Sequence, residues 1–197
     1  LPEDIFFKMP EEEIKNQKAN LLGDARADHF TAFWGNRNAK RKRPNDVLVC
    51  WKMFLDKLEK EEGHRNATLI MHTDTVDPNG QPLEFLANEL GLTNGQITFS
   101  KDKIQPQHLA VYYNLADVTI NIADAEGFGL ATLESLSCGT PVVLTKTGGL
   151  QEQVSDGEVE FGVGIEPTSR AVIGSQQVPY IYEDRINEEV FVAALKK

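Results

Sequence analysis

Cysteine is scarce. Two residues in 197, Cys50 and Cys138, cannot build a disulfide framework, and they point to a reducing compartment. Neither has metal-ligand spacing with the four histidines, so no metal site is expected. Apolar runs are short, and none approaches the ~18–20 residues needed to span a bilayer. No signal peptide is visible, which sets the expectation of a cytoplasmic protein. Basic residues are outnumbered, 20 against 30 acids, for a net charge of -10. That balance excludes a bulk attraction to nucleic acid or anionic lipid. Three signatures are absent as well. There is no G-x-x-x-x-G-K-[ST], which excludes a P-loop; no G-x-G-x-x-G after the first strand, which disfavours dinucleotide oxidoreduction; and no G-x-S-x-G elbow.

What is present is alternation. HFTAFWG (29–35) reads as a buried strand. Pro44 to Lys60 reads as a helix, with Val47, Cys50, Trp51, Phe54 and Leu58 at helical spacing. Strands are expected at 66–72, 96–99, 117–123 and 140–144. Helices are expected at 80–90, 106–116 and 128–137, with a further helix starting at 149. Strands such as TLIM and PVVL are apolar on both faces, the mark of a parallel sheet covered on both sides by helices. Ahead of this lies a polar segment, 1–27, with a helix expected between Pro10 and Gly23. Residues 155–182 are less regular, and 186–197 read as a closing helix. The division is thus an N-terminal polar or linker segment (1–27) and a ligand-binding α/β domain (28–197).

The densest chemistry lies in EGFGLATLE, Glu126 to Glu134. Two carboxylates eight positions apart bracket a Gly-x-Gly turn between an apolar strand and an Ala/Leu-rich helix. Open α/β sheets bind ligands at the carboxyl ends of their strands. The turn there would leave backbone N–H groups free, and Glu126 and Glu134 could each accept hydrogen bonds from ligand hydroxyls. The plain alternative is an ordinary turn with solvated acids. A second element, GNRNAKRKRP, follows the first strand. Gly35 permits the turn, and Arg37 and Lys42 would neutralise a diphosphate, arginine as a bidentate fork and lysine as a point charge. The five basic groups of 37–43 also fit a solvated loop or a nucleic-acid patch, although no aromatics interleave them. In TKTGG (145–149), the N–H groups of Gly148 and Gly149 could meet a phosphate or sugar hydroxyl; a turn without ligand fits equally. In SKDKIQ (100–105), Ile104 could pack on a planar base.

The series GNRNAKRKRP, EGFGLATLESLSCGTPVV and TGGLQEQV resembles the C-terminal half of a retaining glycosyltransferase of the GT-B architecture. The likeness is to the family usually called family 4 and runs from about His29 to Val163. It implies a Rossmann-like, doubly wound parallel sheet that binds a UDP- or GDP-linked sugar and needs neither cofactor nor metal. It also implies roles. Arg37 and Lys42 hold the diphosphate. Glu126 contacts the sugar with the backbone of Gly127, Phe128 and Gly129. Leu130 lies against the diphosphate or ribose, Glu134 takes the ribose hydroxyls, and residues near Ile104 contact the base. A glycan or lipid acceptor is expected on an N-terminal domain absent from this chain, which starts Leu-Pro-Glu without methionine. Peripheral association of the full-length enzyme with a membrane is a further expectation; nucleic-acid binding is not. The turn after the first strand departs from the family in reading GNR rather than GR. Two rivals remain at this level: an epimerase of the same architecture, and a non-catalytic nucleotide-sugar-binding module.

Overall fold

The computed structural model describes residues 1–197. Six strands form one all-parallel sheet: β1 (Phe30–Gly35), β2 (Ala67–His72), β3 (Ile97–Ser100), β4 (Val118–Asn121), β5 (Val142–Thr145) and β6 (Gly162–Ile165). Their spatial order is β3-β2-β1-β4-β5-β6. The chain winds outward from β1 to β3, crosses back, and winds outward again from β4. The order therefore reverses between β1 and β4, the place where a sheet of this kind opens a crevice at its carboxyl rim. The doubly wound parallel sheet read from the sequence is the one observed.

Alternation along each strand divides its side chains between two layers. Ala32 and Trp34 of β1, and Leu69 and Met71 of β2, pack on one side with α2 (Pro44–Glu62), α3 (Leu83–Glu89) and α6 (Glu188–Ala194). Phe33 and Ile70 face the other way, onto α4 (Pro106–Leu115). Each such side chain, fully buried, contributes about 1.5–3 kcal/mol by leaving water. α2 begins with Pro44 at its first turn, where a missing N–H costs nothing, and buries Val47, Leu48, Cys50, Trp51, Phe54, Leu55 and Leu58. The polar 1–27 segment carries α1 (Glu11–Leu22), stopped by Gly23, and buries Phe6 and Leu22 against α4. α5 (Leu130–Ser137) connects β4 to β5. No helix is long and apolar enough to cross a membrane.

Two expectations need correcting. The helix expected from Gly149 is a short 3-10 turn, Gly148–Glu152. The less regular stretch 155–182 holds β6 and then leads into an antiparallel hairpin, β7 (Ser169–Val172) with β8 (Tyr182–Arg185). Its apolar residues lack a helical or buried-strand pattern because most of them face solvent: Val172, Ile173, Val178, Tyr180 and Tyr182 are all exposed.

Candidate active site at the switch point of the sheet

The loop after β1 and the turn after β4 face each other across the switch point. In that loop, Lys42 falls at the end of a 3-10 turn (Lys40–Lys42) and is buried. Its ammonium forms an ion pair with the Glu126 carboxylate, both side chains nearly withdrawn from solvent. A cleft of about 400 Å³ opens at the same carboxyl rim; Arg37 and Glu134 line it, whereas Lys42, Glu126 and the 127–130 turn do not. Gly35, Asn36 and Arg37 line it from the β1 loop, Ala131 and Glu134 from α5, and Lys101, Asp102 and Lys103 from the loop after β3.

The Gly-x-Gly turn shows how its backbone is aimed. The Gly149 N–H donates to the Gly127 carbonyl at 2.9 Å, and a longer contact of 3.4 Å reaches the Glu126 carbonyl. The Gln153 side-chain amide donates to the Phe128 carbonyl. Three successive carbonyls therefore point at the 148–153 segment. A trans peptide directs its N–H opposite its C=O. The N–H groups of Gly127, Phe128 and Gly129 consequently point away from that segment, and they donate to no protein acceptor. Gly129 takes the left-handed conformation (φ 83°) that starts α5. Here the sequence reading of TKTGG narrows to Gly148, whose N–H has no protein acceptor. The Gly149 N–H is spent on Gly127, and Gly148 and Gly149 serve as a floor: a Cβ on either would collide with the Glu126 or Gly127 carbonyl. Phe128 and Leu130 stand exposed at the rim.

Glu134 is half-buried, and the Tyr113 hydroxyl donates to it at 2.8 Å. Burial raises its carboxyl above the usual range, partly offset by that hydrogen bond. Tyr113 itself is pushed up by burial and by the Glu134 charge, so it stays a donor. Arg37 lies exposed at the mouth of the cleft, where its Nε donates to Asp77 at 3.0 Å. His72, also in the lining, lies within hydrogen-bond distance (2.9 Å) of the Ser100 hydroxyl and is lowered by burial.

Ile104 is a correction. It lies outside the cleft, in a groove with Gln17, Asn20 and Leu21 of α1 and His108, Val111 and Tyr112 of α4. The three residues before it, 101–103, take the wall assigned to it, because the chain leaves the rim one residue earlier on its way into α4. A larger recess, about 640 Å³, is at the opposite rim among the starts of β1, β4, β5 and β6; none of the expected site residues lines it. Sequence reading missed Tyr113, Asp77 and Asp124. The last was visible as a charge directly after an apolar strand, but its partners lie far off in the chain.

Comparison with known proteins gives concordant findings. A family model described as "Glycosyl transferases group 1" matches residues 33–192. The D-inositol 3-phosphate glycosyltransferase of Paenarthrobacter aurescens is 39% identical over 141 residues, 72% of this chain and 33% of that protein. Among solved structures, sucrose-phosphate synthase from Thermosynechococcus elongatus superposes with a TM-score of 0.69 at 21% identity, covering 100% of this chain and 41% of that one. The HepE protein of Anabaena, solved in complex with UDP and glucose, gives a TM-score of 0.65 at 21% identity, covering 85% of this chain and 41% of its own. The chain thus spans a third of the length of that curated relative and about two fifths of those structures.

Proposed function

The chain belongs to the group 1 glycosyl transferases, and from that footing we propose that it binds a nucleotide-diphosphate sugar as the donor half of a retaining, metal-independent hexosyltransferase. One observation carries the proposal: the loop after β1 and the turn after β4, neighbours where the strand order reverses, are joined by the Lys42–Glu126 pair, and the cleft at the same rim is lined by Arg37 and Glu134.

The chemistry follows from where charge develops. As the sugar departs, negative charge grows on the leaving diphosphate. Groups that stabilise this charge more in the transition state than in the ground state accelerate the step. Lys42 has three donors, so it can bridge Glu126 and a phosphate oxygen together. Arg37, exposed and single-partnered, can turn from Asp77 to a phosphate. The outward N–H groups of Gly127, Phe128 and Gly129, at the start of α5, add fixed dipoles of the same sign. Together these groups supply the neutralisation that a metal supplies elsewhere. Glu126 accepts from hydroxyls of the sugar and positions an oxocarbenium-like centre. Glu134, oriented by Tyr113, accepts from the ribose. Leu130 and Phe128 offer apolar contact at the rim, and residues 101–103 meet the base. The acceptor, a glycan or lipid, and any general base belong in this reading to the other domain of the two-domain architecture.

Titration calorimetry with UDP, GDP and ADP tests the site, repeated on Arg37→Ala. One charged hydrogen bond lost should cost about 1.5–3 kcal/mol, roughly a tenfold or greater weakening. Equal and negligible binding of all three nucleotides would defeat the proposal.

A further inference from the structure

The segments that bear Lys42, Glu126 and β8 meet at a side chain outside the cleft. Asp124, two residues before Glu126, is 4% exposed. Its carboxylate stands 2.9 Å from the guanidinium of Arg185, at the end of β8, and 3.5 Å from that of Arg43, at the close of the basic loop. The backbone repeats the join. Asp124 N–H donates to the Arg41 carbonyl, and Asp184 N–H to the Asp124 carbonyl, each at 2.8 Å. The Arg41 guanidinium donates to the Ala125 carbonyl at 3.0 Å. Residues 41–43 are thus fastened onto 124–126 at every position, with the Lys42–Glu126 pair in the middle.

Arg43 adds an independent observation. It is the one non-glycine residue with a left-handed backbone, φ 59° and ψ 40°. That conformation presses Cβ against the backbone and persists in a side-chain-bearing residue only where the surroundings impose it. Its backbone is held between the 3-10 turn and α2, with its N–H on the Lys40 carbonyl at 3.0 Å, and its side chain by Asp124 and, at 2.8 Å, Asp46. The Lys42 side chain has no protein partner besides Glu126, and its backbone is held by the 3-10 turn that Arg43 closes.

We propose that Asp124 is a positioning residue for the donor site, clamping Arg43 and Arg185 so that the Lys42 ammonium and the Glu126 carboxylate are held in register and coupled to the hairpin. The inference rests on the donor-binding reading. It goes further by naming what aligns the site.

The clamp depends on charge. Burial raises the Asp124 carboxyl to about 6, against the opposing pull of Arg43 and Arg185. Facing it are Arg43, just before α2, Asp46 of α2, and Glu183 and Arg185 of β8; Cys50 of α2 and Glu188, the first residue of α6, line the same small void. Because this folded-state value lies above that of a free carboxyl, ionising Asp124 opposes folding. Its stabilising contribution is fully present below the ordinary carboxyl range and lost as pH rises through about 6. Neutralising it should therefore loosen the site without unfolding the protein.

The test is calorimetry with UDP-glucose and GDP-mannose, whose diphosphates carry no group titrating in this range. It compares the wild type, Asp124→Asn and Arg43→Gly at about pH 7.5 and about pH 5, with thermal melts on the same samples. The wild type should bind one donor at the higher pH, and Asp124→Asn should bind it about tenfold more weakly with a melting temperature no lower than the wild type's. At the lower pH the wild type should fall toward the variant. Glu134 titrates alike in both proteins, so the difference between them isolates Asp124. Arg43→Gly fits the left-handed backbone and removes the side chain with its cation and both ion pairs; it should weaken binding by a similar factor. Wild-type affinity in Asp124→Asn at both pH values, or in Arg43→Gly, overturns the clamp. If Asp124→Asn does not fold, Arg43→Gly and the wild-type pH profile decide. A wild type that takes neither donor overturns the donor reading, and the clamp with it.

Discussion

Glu134 sits in a place that favours its proton. Half-buried on α5, it has the Tyr113 hydroxyl as its one protein hydrogen-bond donor. Its folded-state carboxyl lies above the free value, so its contribution to stability is complete at low pH and declines as pH rises through the folded-state transition. Glu134→Gln keeps the acceptor and removes the charge. Urea midpoints of this variant should exceed the wild type's near neutrality, and the gap should close at about pH 4. A gap that widened on acidification would contradict the sign. Nucleotide binding should move the other way, since a neutral amide is a poorer acceptor for ribose hydroxyls than a carboxylate. At this scale Glu126 and Glu134 were legible, because their spacing and the glycines between them lie in one short stretch. Tyr113 was not. It lies 21 positions from Glu134, inside a helix, and reads as core. Ile104 misled for the opposite reason: its loop was right, but one residue decides whether a side chain faces the cleft or the α1–α4 groove.

Among the elements, the two glycine turns behave as one unit. The carbonyls of the turn after β4 are anchored on the turn after β5, and this orients the N–H groups of Gly127, Phe128 and Gly129 outward. Gly149→Ala would drive a methyl into the Gly127 carbonyl and the Phe128 backbone. The expected cost is about 1–3 kcal/mol of stability, as in other overpacked sites, together with loss of nucleotide binding in calorimetry. Gly63→Ala is the matching control. At the C-cap of α2 it has open space and φ 77°, so it should cost about 1–2 kcal/mol through backbone conformation alone and leave nucleotide binding unchanged. Equal effects of the two variants on binding would refute the stacked-turn account. The pairing of the turns could not be read from TKTGG by itself, because which partner takes an N–H depends on β5 lying beside β4.

The whole molecule carries a net charge of -10, with five basic residues gathered at 37–43. The structure uses part of that cluster internally. Lys42 pairs with Glu126, Arg43 with Asp46 and Asp124, Arg37 with Asp77, and Arg41 reaches the Ala125 carbonyl. A basic patch spent on its own protein is a weak ligand for a polyanion. Fluorescence anisotropy should therefore show no association of single-stranded RNA at low salt under conditions where a nucleotide diphosphate binds. RNA binding that rises steeply as salt is removed would count against this assignment.

The amino-acid sequence by itself determined the alternation of strands and helices, the parallel sheet and the acid–glycine–acid turn, because hydrophobic period and turn chemistry are local properties that survive without a partner. Only the tertiary structure decided that Lys42 meets Glu126, that Asp124 gathers Arg43 and Arg185, and which backbone N–H groups remain free. Those contacts join residues dozens of positions apart. They depend on strand order, which brings β1 next to β4, and on the hairpin whose β8 reaches Asp124, and no periodicity along the chain encodes either.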